Sequence, residues 1–116
     1  MALVSALAIG LGGAAGALAR YGVGLAVEGR GLDTLVVNVA GSIILGFVLG
    51  LDVSQSALLA VGVGFCGAFT TFSSHAVETV GFAEDGASLT AVAYVVVTLV
   101  LAVVGVVVGI SLGRIA

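Results

Sequence analysis

The sequence predicts an all-α membrane protein of four transmembrane helices, and three observations carry that prediction. Hydrophobic residues make up 61% of the 116 positions and charged residues 8%, with no lysine and no proline, where a soluble domain would be about 25% charged. Mean hydropathy is +1.40. Four stretches, uncharged or nearly so, are long enough to cross a hydrocarbon core, which takes about 20 residues of helix: Ala2–Leu25, Thr34–Leu51, Ser56–Val80 and Ala87–Leu112. A β-barrel would show segments of about ten residues alternating apolar and polar, whereas "AVAYVVVTLVLAVVGVVVG" is apolar without alternation. Helices then remain as the way to satisfy the backbone in lipid. The breaks "VEGRGLD" (27–33), "DVSQS" (52–56) and "GFAEDGAS" (81–88) are too short for a soluble unit. Residues 1–116 are therefore expected to form one four-helix domain, a multi-pass protein of the cell membrane with no nucleic-acid partner.

The first stretch lacks a basic segment ahead of its apolar run, and Arg20 follows that run, so it is expected to be a retained helix rather than a cleaved signal. Its "GLGGAAG" is not a phosphate loop, because no strand precedes it. Arg20, in "GALARYGVG", lies near the helix end, where it can snorkel to the interface, bond to terminal carbonyls or attract anions. In the second helix Thr34, Asn38 and Ser42 recur every four residues and share one face. Asn38 brings an amide into mid-span, as an interhelical hydrogen-bonding group or as a donor to a solute.

The third stretch contains "GAFTTFSSH" (67–75), two threonines, two serines, two aromatics and a histidine in nine positions. A helix break near Gly64–Thr71 would expose backbone carbonyls and N–H groups, and such backbone survives at membrane depth only where protein or water satisfies it. Phe69, Phe72 and His75 follow at three-residue spacing, with Glu78 one step further. They are either a packing stripe or a path on which ring edges, which are electropositive, accept an anion. Tyr94 and Thr98, four apart on the fourth helix, place two hydroxyls on one stripe, donors that bring no negative charge. Cys66 is the single cysteine and reads as a small interior residue.

Three arginines give a nearly balanced topology signal, with Arg20 and Arg30 at one end and Arg114 at the other. Such a chain can insert both ways and pair antiparallel with a second copy; alternatively the first helix or a partner fixes one orientation. The net charge of −3 points at most to a high-salt habitat. Nineteen glycines, with GxxxG pairs at Gly12–Gly16, Gly46–Gly50, Gly105–Gly109 and Gly109–Gly113, indicate close helix packing. Four thin helices enclose little interior, so the polar residues are expected to meet at a subunit interface. One histidine, one cysteine and no paired intramembrane carboxylates leave no catalytic set, and no enzyme is expected.

Taken together, "GGAAGALARYGVG" (12–24), "NVAGSIILG" (38–46), "GFCGAFTTFSS" (64–74) with Glu78, and Tyr94 with Thr98 resemble the Fluc/CrcB family of fluoride channels, in the family's order and over nearly the whole chain. The resemblance implies an antiparallel, dual-topology dimer of four-helix subunits with a broken third helix and two pores. It implies a structural sodium ion on the two-fold axis, held by backbone carbonyls of Gly67 and Thr70. It also implies a fluoride path lined by Asn38, Phe72, Ser73, the residue at position 75, Tyr94 and Thr98, with Arg20 near a vestibule and Glu78 in a vestibule or structural role. Where the family reads TTFSTF this chain reads "TTFSSH", so His75 stands at a second pore phenylalanine. A neutral imidazole can donate there, a protonated one can hold anions or make transport depend on pH, and Glu78 can pair with it.

The implied activity is passive. Fluoride enters cells as uncharged HF, dissociates in the more neutral cytoplasm and leaves through a selective pore down its gradient. Two rivals stand beside it. One is a pore-deficient partner subunit in a heterodimer with a homologue. The other is a small proton-coupled exporter, which would need a carboxylate within the first helix, and "LVSALAIGLGGAAGALA" has none.

Overall fold

The computed structural model describes residues 1–116, all helix and short connections. Four apolar helices run α1 (Ala2–Ala26), α2 (Leu32–Gly50), α3 (Gln55–Glu84) and α4 (Ser88–Ile115). The molecule is 51 Å in its longest dimension, enough to reach through a bilayer of about 40–45 Å including headgroups. Large apolar side chains such as Leu7, Leu11 and Leu18 on α1 and Val103, Val104 and Val107 on α4 face outward, as a chain in lipid requires. The buried hydrophobic core is small: Val37, Val48, Cys66, Phe69 and Ala91.

What holds the helices is backbone approach at glycine. Along the α2–α4 seam, a Cβ on Gly46 would overlap the Val106 carbonyl, and one on Gly109 the Ile43 carbonyl. Gly50 and Gly113 meet Ile110 and Phe47 in the same way. In lipid this close van der Waals fit replaces the hydrophobic drive between helices. A second seam joins α1 to the first half of α3, where Gly12 lies against Ala60, Gly16 against Phe65 and Gly64 against Ile9.

The third helix is not uniform. It is α-helical over Gln55–Leu58, π-helical over Leu59–Phe65 and α-helical again over Cys66–Phe69; it breaks at Thr70–Thr71 and resumes at Phe72–Glu84. The break is thus narrower than the expected Gly64–Thr71. Gly64 remains helical where its backbone packs against Ile9 and Gly13 of α1, and the looser π turns coincide with that contact. The first half of α3 packs on α1, and the second half on α4. This half runs on to Glu84, through the start of the stretch expected as a loop. The turn beyond it closes on Gly86 at φ +79°, and the first connection on Gly31 at φ +76°, both left-handed conformations suited to glycine.

Candidate functional site

The break in α3 is organised by a clasp from α2. Asn38 Nδ2 donates to the Thr71 carbonyl at 2.9 Å, and the Thr71 N–H donates to Asn38 Oδ1 at 2.8 Å. One side-chain amide therefore satisfies both polar groups of a peptide that has left the helix, which membrane depth requires. Thr71 then starts the second half as its N-cap, its hydroxyl accepting from the Ser74 N–H at 3.1 Å. Ser73 lies beside this cap, its hydroxyl 3.2 Å from that of Thr71.

The clasp frees two carbonyls. In an unbroken helix the Thr71 N–H would close on Gly67 O and the Ser74 N–H on Thr70 O; here both donors are engaged elsewhere. Gly67 lies on an exposed face with open space where a side chain would stand. Phe72, 82% exposed, and Ser73 are exposed too.

Two cavities flank the break, and Thr71 lines both. The first, about 520 Å³, holds Arg20, Tyr21, Asp33, Thr34 and Ser74. Arg20 donates to Ser74 Oγ at 2.9 Å, so the guanidinium reaches across to α3 rather than to a carboxylate. The second, about 560 Å³, is lined by Asn38, Ser42, Gly67, Thr70, Phe72, His75 and Thr98 among others, with no carboxylate in its wall. Ser42 donates to the Asn38 carbonyl at 2.7 Å, and Thr70 Oγ1 to the Cys66 carbonyl at 2.8 Å.

Tyr94 is placed differently from a free donor. Its hydroxyl donates to the Gly31 carbonyl at 2.9 Å, while its ring stacks on His75 at 5.1 Å and meets the Phe82 ring at 5.5 Å. Its one proton is thus committed to the first connection. Glu78 faces Arg30 at 3.7 Å rather than pairing with His75. Arg30 also donates to Asp85 and lies 4.8 Å from the Phe82 ring centre. The Asp85 hydrogen bond, then the nearby acids, raise the Arg30 pKa despite the opposing cost of desolvation. Arg30→Ala is expected to lower the melting temperature only slightly, with the difference shrinking at high salt because exposed ion pairs are screened, as thermal melts of the detergent-solubilised protein at two ionic strengths will show.

Three parts of this site were not foreseen: Thr71 as the clasped cap, Ser74 as the partner of Arg20, and the Arg30 cluster. The Thr71-x-x-Ser74 spacing is a helix-start signal that sequence alone offers. Partners 54 and 55 positions apart, Arg20–Ser74 and Arg30–Asp85, carry no such local sign.

The sequence model described as "CrcB-like protein, Camphor Resistance (CrcB)" matches residues 7–110. The chain belongs to the CrcB family. It is 58% identical to "Fluoride-specific ion channel FluC 2" of Natronomonas pharaonis over 97% of both chains. It is 45% identical to a protein of the same printed name from Haloarcula marismortui over 91% of both. With "Fluoride-specific ion channel FluC" of Methylococcus capsulatus it shares 43% identity over 96% of this chain and 53% of that one. The CrcB relatives are named as channels, not as enzymes. Family and spans together make this CrcB chain a multi-pass protein of the plasma membrane.

Proposed function

We propose that this chain is a fluoride-selective channel that lets cytoplasmic fluoride leave passively and so limits its toxicity. The observation that carries the reading is near-full-length similarity, 58% over 97% of both chains, to a protein named a fluoride-specific ion channel. The site's chemistry supports it: a cavity wall of amide, hydroxyl, imidazole and aromatic groups without a carboxylate suits an anion. Fluoride is small and strongly hydrated, so a narrow wall of such donors, with Asn38, Thr98 and the Phe72 edge foremost, replaces its water, the dehydration logic of other filters. Neither ATP nor a redox group enters.

The functional unit is a dimer with a second, antiparallel copy or a homologous subunit. The broken backbone at Thr70–Thr71 lies beside the exposed Gly67, Phe72 and Ser73, and irregular backbone at membrane depth needs protein over it. The freed carbonyls of Gly67 and Thr70 are hard oxygen donors suited to a sodium ion, which would tie the two subunits together as a structural element. Gly67→Ala meets no atom of its own chain, so it is expected to leave the fold intact and weaken the dimer by tenfold or more, about 1.4 kcal/mol. Dilution-dependent single-molecule photobleaching in liposomes reads that change, and an unaltered dimer would count against the covered face. The channel reading is tested by expression in bacteria lacking fluoride export. Growth in millimolar fluoride supports it, and growth no better than with empty vector, at verified membrane expression, would refute it.

A further inference from the structure

The connection between α1 and α2 is tied to the far end of α3 and to α4 by two adjacent residues. Arg30 donates to Asp85, lies 3.7 Å from Glu78 and stands 4.8 Å from the centre of the Phe82 ring. Gly31 accepts a hydrogen bond from the Tyr94 hydroxyl at 2.9 Å. Its φ is +76°, and a Cβ there would come within 3.1 Å of the Tyr94 ring, so the connection meets that ring at close quarters.

From these two residues a line of rings runs inward. Phe82 meets Tyr94 at 5.5 Å with 60° between planes, Tyr94 stacks on His75 at 5.1 Å with 22°, and His75 meets Phe72 at 6.1 Å. Phe72 and His75 both line the second cavity. Tyr94 is six residues on from Ser88, the start of α4, a depth of about 9 Å at 1.5 Å per residue. Edge-to-face and stacked contacts hold rings in preferred orientations. The cavity wall is thereby joined, ring by ring, to a charged cluster that water reaches, since the Arg30 and Asp85 side chains are 47% and 63% exposed.

We infer that Arg30 is a positioning residue for permeation: with Gly31 it braces Phe82 and Tyr94, and through them sets the orientation of the rings that line the second cavity. This rests on the channel reading above. A site is only as well placed as the side chains that support it, and a filter that replaces an ion's water depends on where its wall stands. Arg30 touches no lining residue itself and acts through the rings. Because its ion pairs are exposed, salt weakens the brace. High ionic strength therefore loosens the wall without unfolding the helices, whose glycine seams involve no charge.

The test has two arms, both on the full chain. The first labels the protein with 3-fluorotyrosine; there are two tyrosines, so Tyr21→Phe leaves the Tyr94 fluorine signal alone. Arg30→Gln and Phe82→Leu are each expected to shift and broaden that signal, and Arg30→Lys to keep it near its wild-type position. The second arm is fluoride efflux from liposomes at one fluoride activity. At about 0.1 M ionic strength, Arg30→Gln, Phe82→Leu and Asp85→Asn are each expected to lose about threefold, with Arg30→Lys recovering most of it. At about 1 M, where the screening length falls from about 10 Å to about 3 Å, the wild type is expected to drop to the level of Arg30→Gln, which stays flat. Asp85→Asn separates the brace from a simple field effect: losing a negative charge favours anion entry, whereas a loosened brace lowers flux. If Phe82→Leu does not fold, Arg30→Gln and Asp85→Asn still decide. An unchanged Tyr94 signal and unchanged flux in Arg30→Gln, or a rise in flux in Asp85→Asn, in a protein that conducts fluoride would overturn this inference alone. No fluoride efflux from any folded form would overturn the channel reading and this inference with it.

Discussion

Asn38→Ala is expected to abolish fluoride flux and to lower stability in the same protein. The amide makes two hydrogen bonds to one peptide, at 2.9 and 2.8 Å, and Thr71 is only 8% exposed. Alanine leaves that N–H and carbonyl without their side-chain partner in a low-dielectric setting, a loss of about 2–4 kcal/mol for the pair. The break then shifts toward continuous helix, the Gly67 and Thr70 carbonyls regain helical partners, and the second cavity loses a donor from its wall. Flux is expected to fall to the level of protein-free liposomes, because the wall loses its amide donor and the break that shapes the cavity is no longer held. Asn38→Asp separates the two contributions. It keeps an acceptor for the Thr71 N–H but no donor for the carbonyl and adds a negative charge to the wall, so part of the stability returns and none of the flux. Thermal melts in detergent and fluoride efflux, run on the same preparations, check both.

The second large effect belongs to the α2–α4 seam. Gly109→Leu places a side chain into the Ile43 carbonyl and against the backbone of Gly46 and Phe47. The obstacle is backbone, which cannot swing aside, so the helices must part; the cost is expected at about 3 kcal/mol or more, and the chain should not be recovered as a monodisperse species. Gly46→Leu, which meets Val106 from the other helix, should behave alike. Gly22→Leu on α1 meets nothing within 4 Å and should give wild-type yield and elution. Size-exclusion profiles of the three variants decide the matter.

The four spans were legible because hydropathy over some 20 residues is a property of the chain itself, and α1 and α2 begin and end within two residues of where the apolar stretches do. The site was legible in part. "FTTFSS" announces an interruption, yet its extent was not readable: Gly64 looks like a poor helix residue until α1 is laid against it. Propensity gave way there to packing. Asn38 stood out as a polar group in mid-span, but that it would grip Thr71, 33 positions on, depends on how α2 meets α3. Tyr94 shows the same limit. Its hydroxyl belongs by spacing to a stripe with Thr98, and in three dimensions it reaches back 63 positions to Gly31.

The most direct test of the central claim is ion-electrode efflux from liposomes holding the purified chain alone, with fluoride and chloride measured side by side, sodium present and Asn38→Ala as control. The account predicts rapid fluoride efflux, no chloride efflux above protein-free liposomes, and no fluoride efflux from the control. Equal release of both anions, or none from protein that elutes as a well-folded dimer, would contradict it.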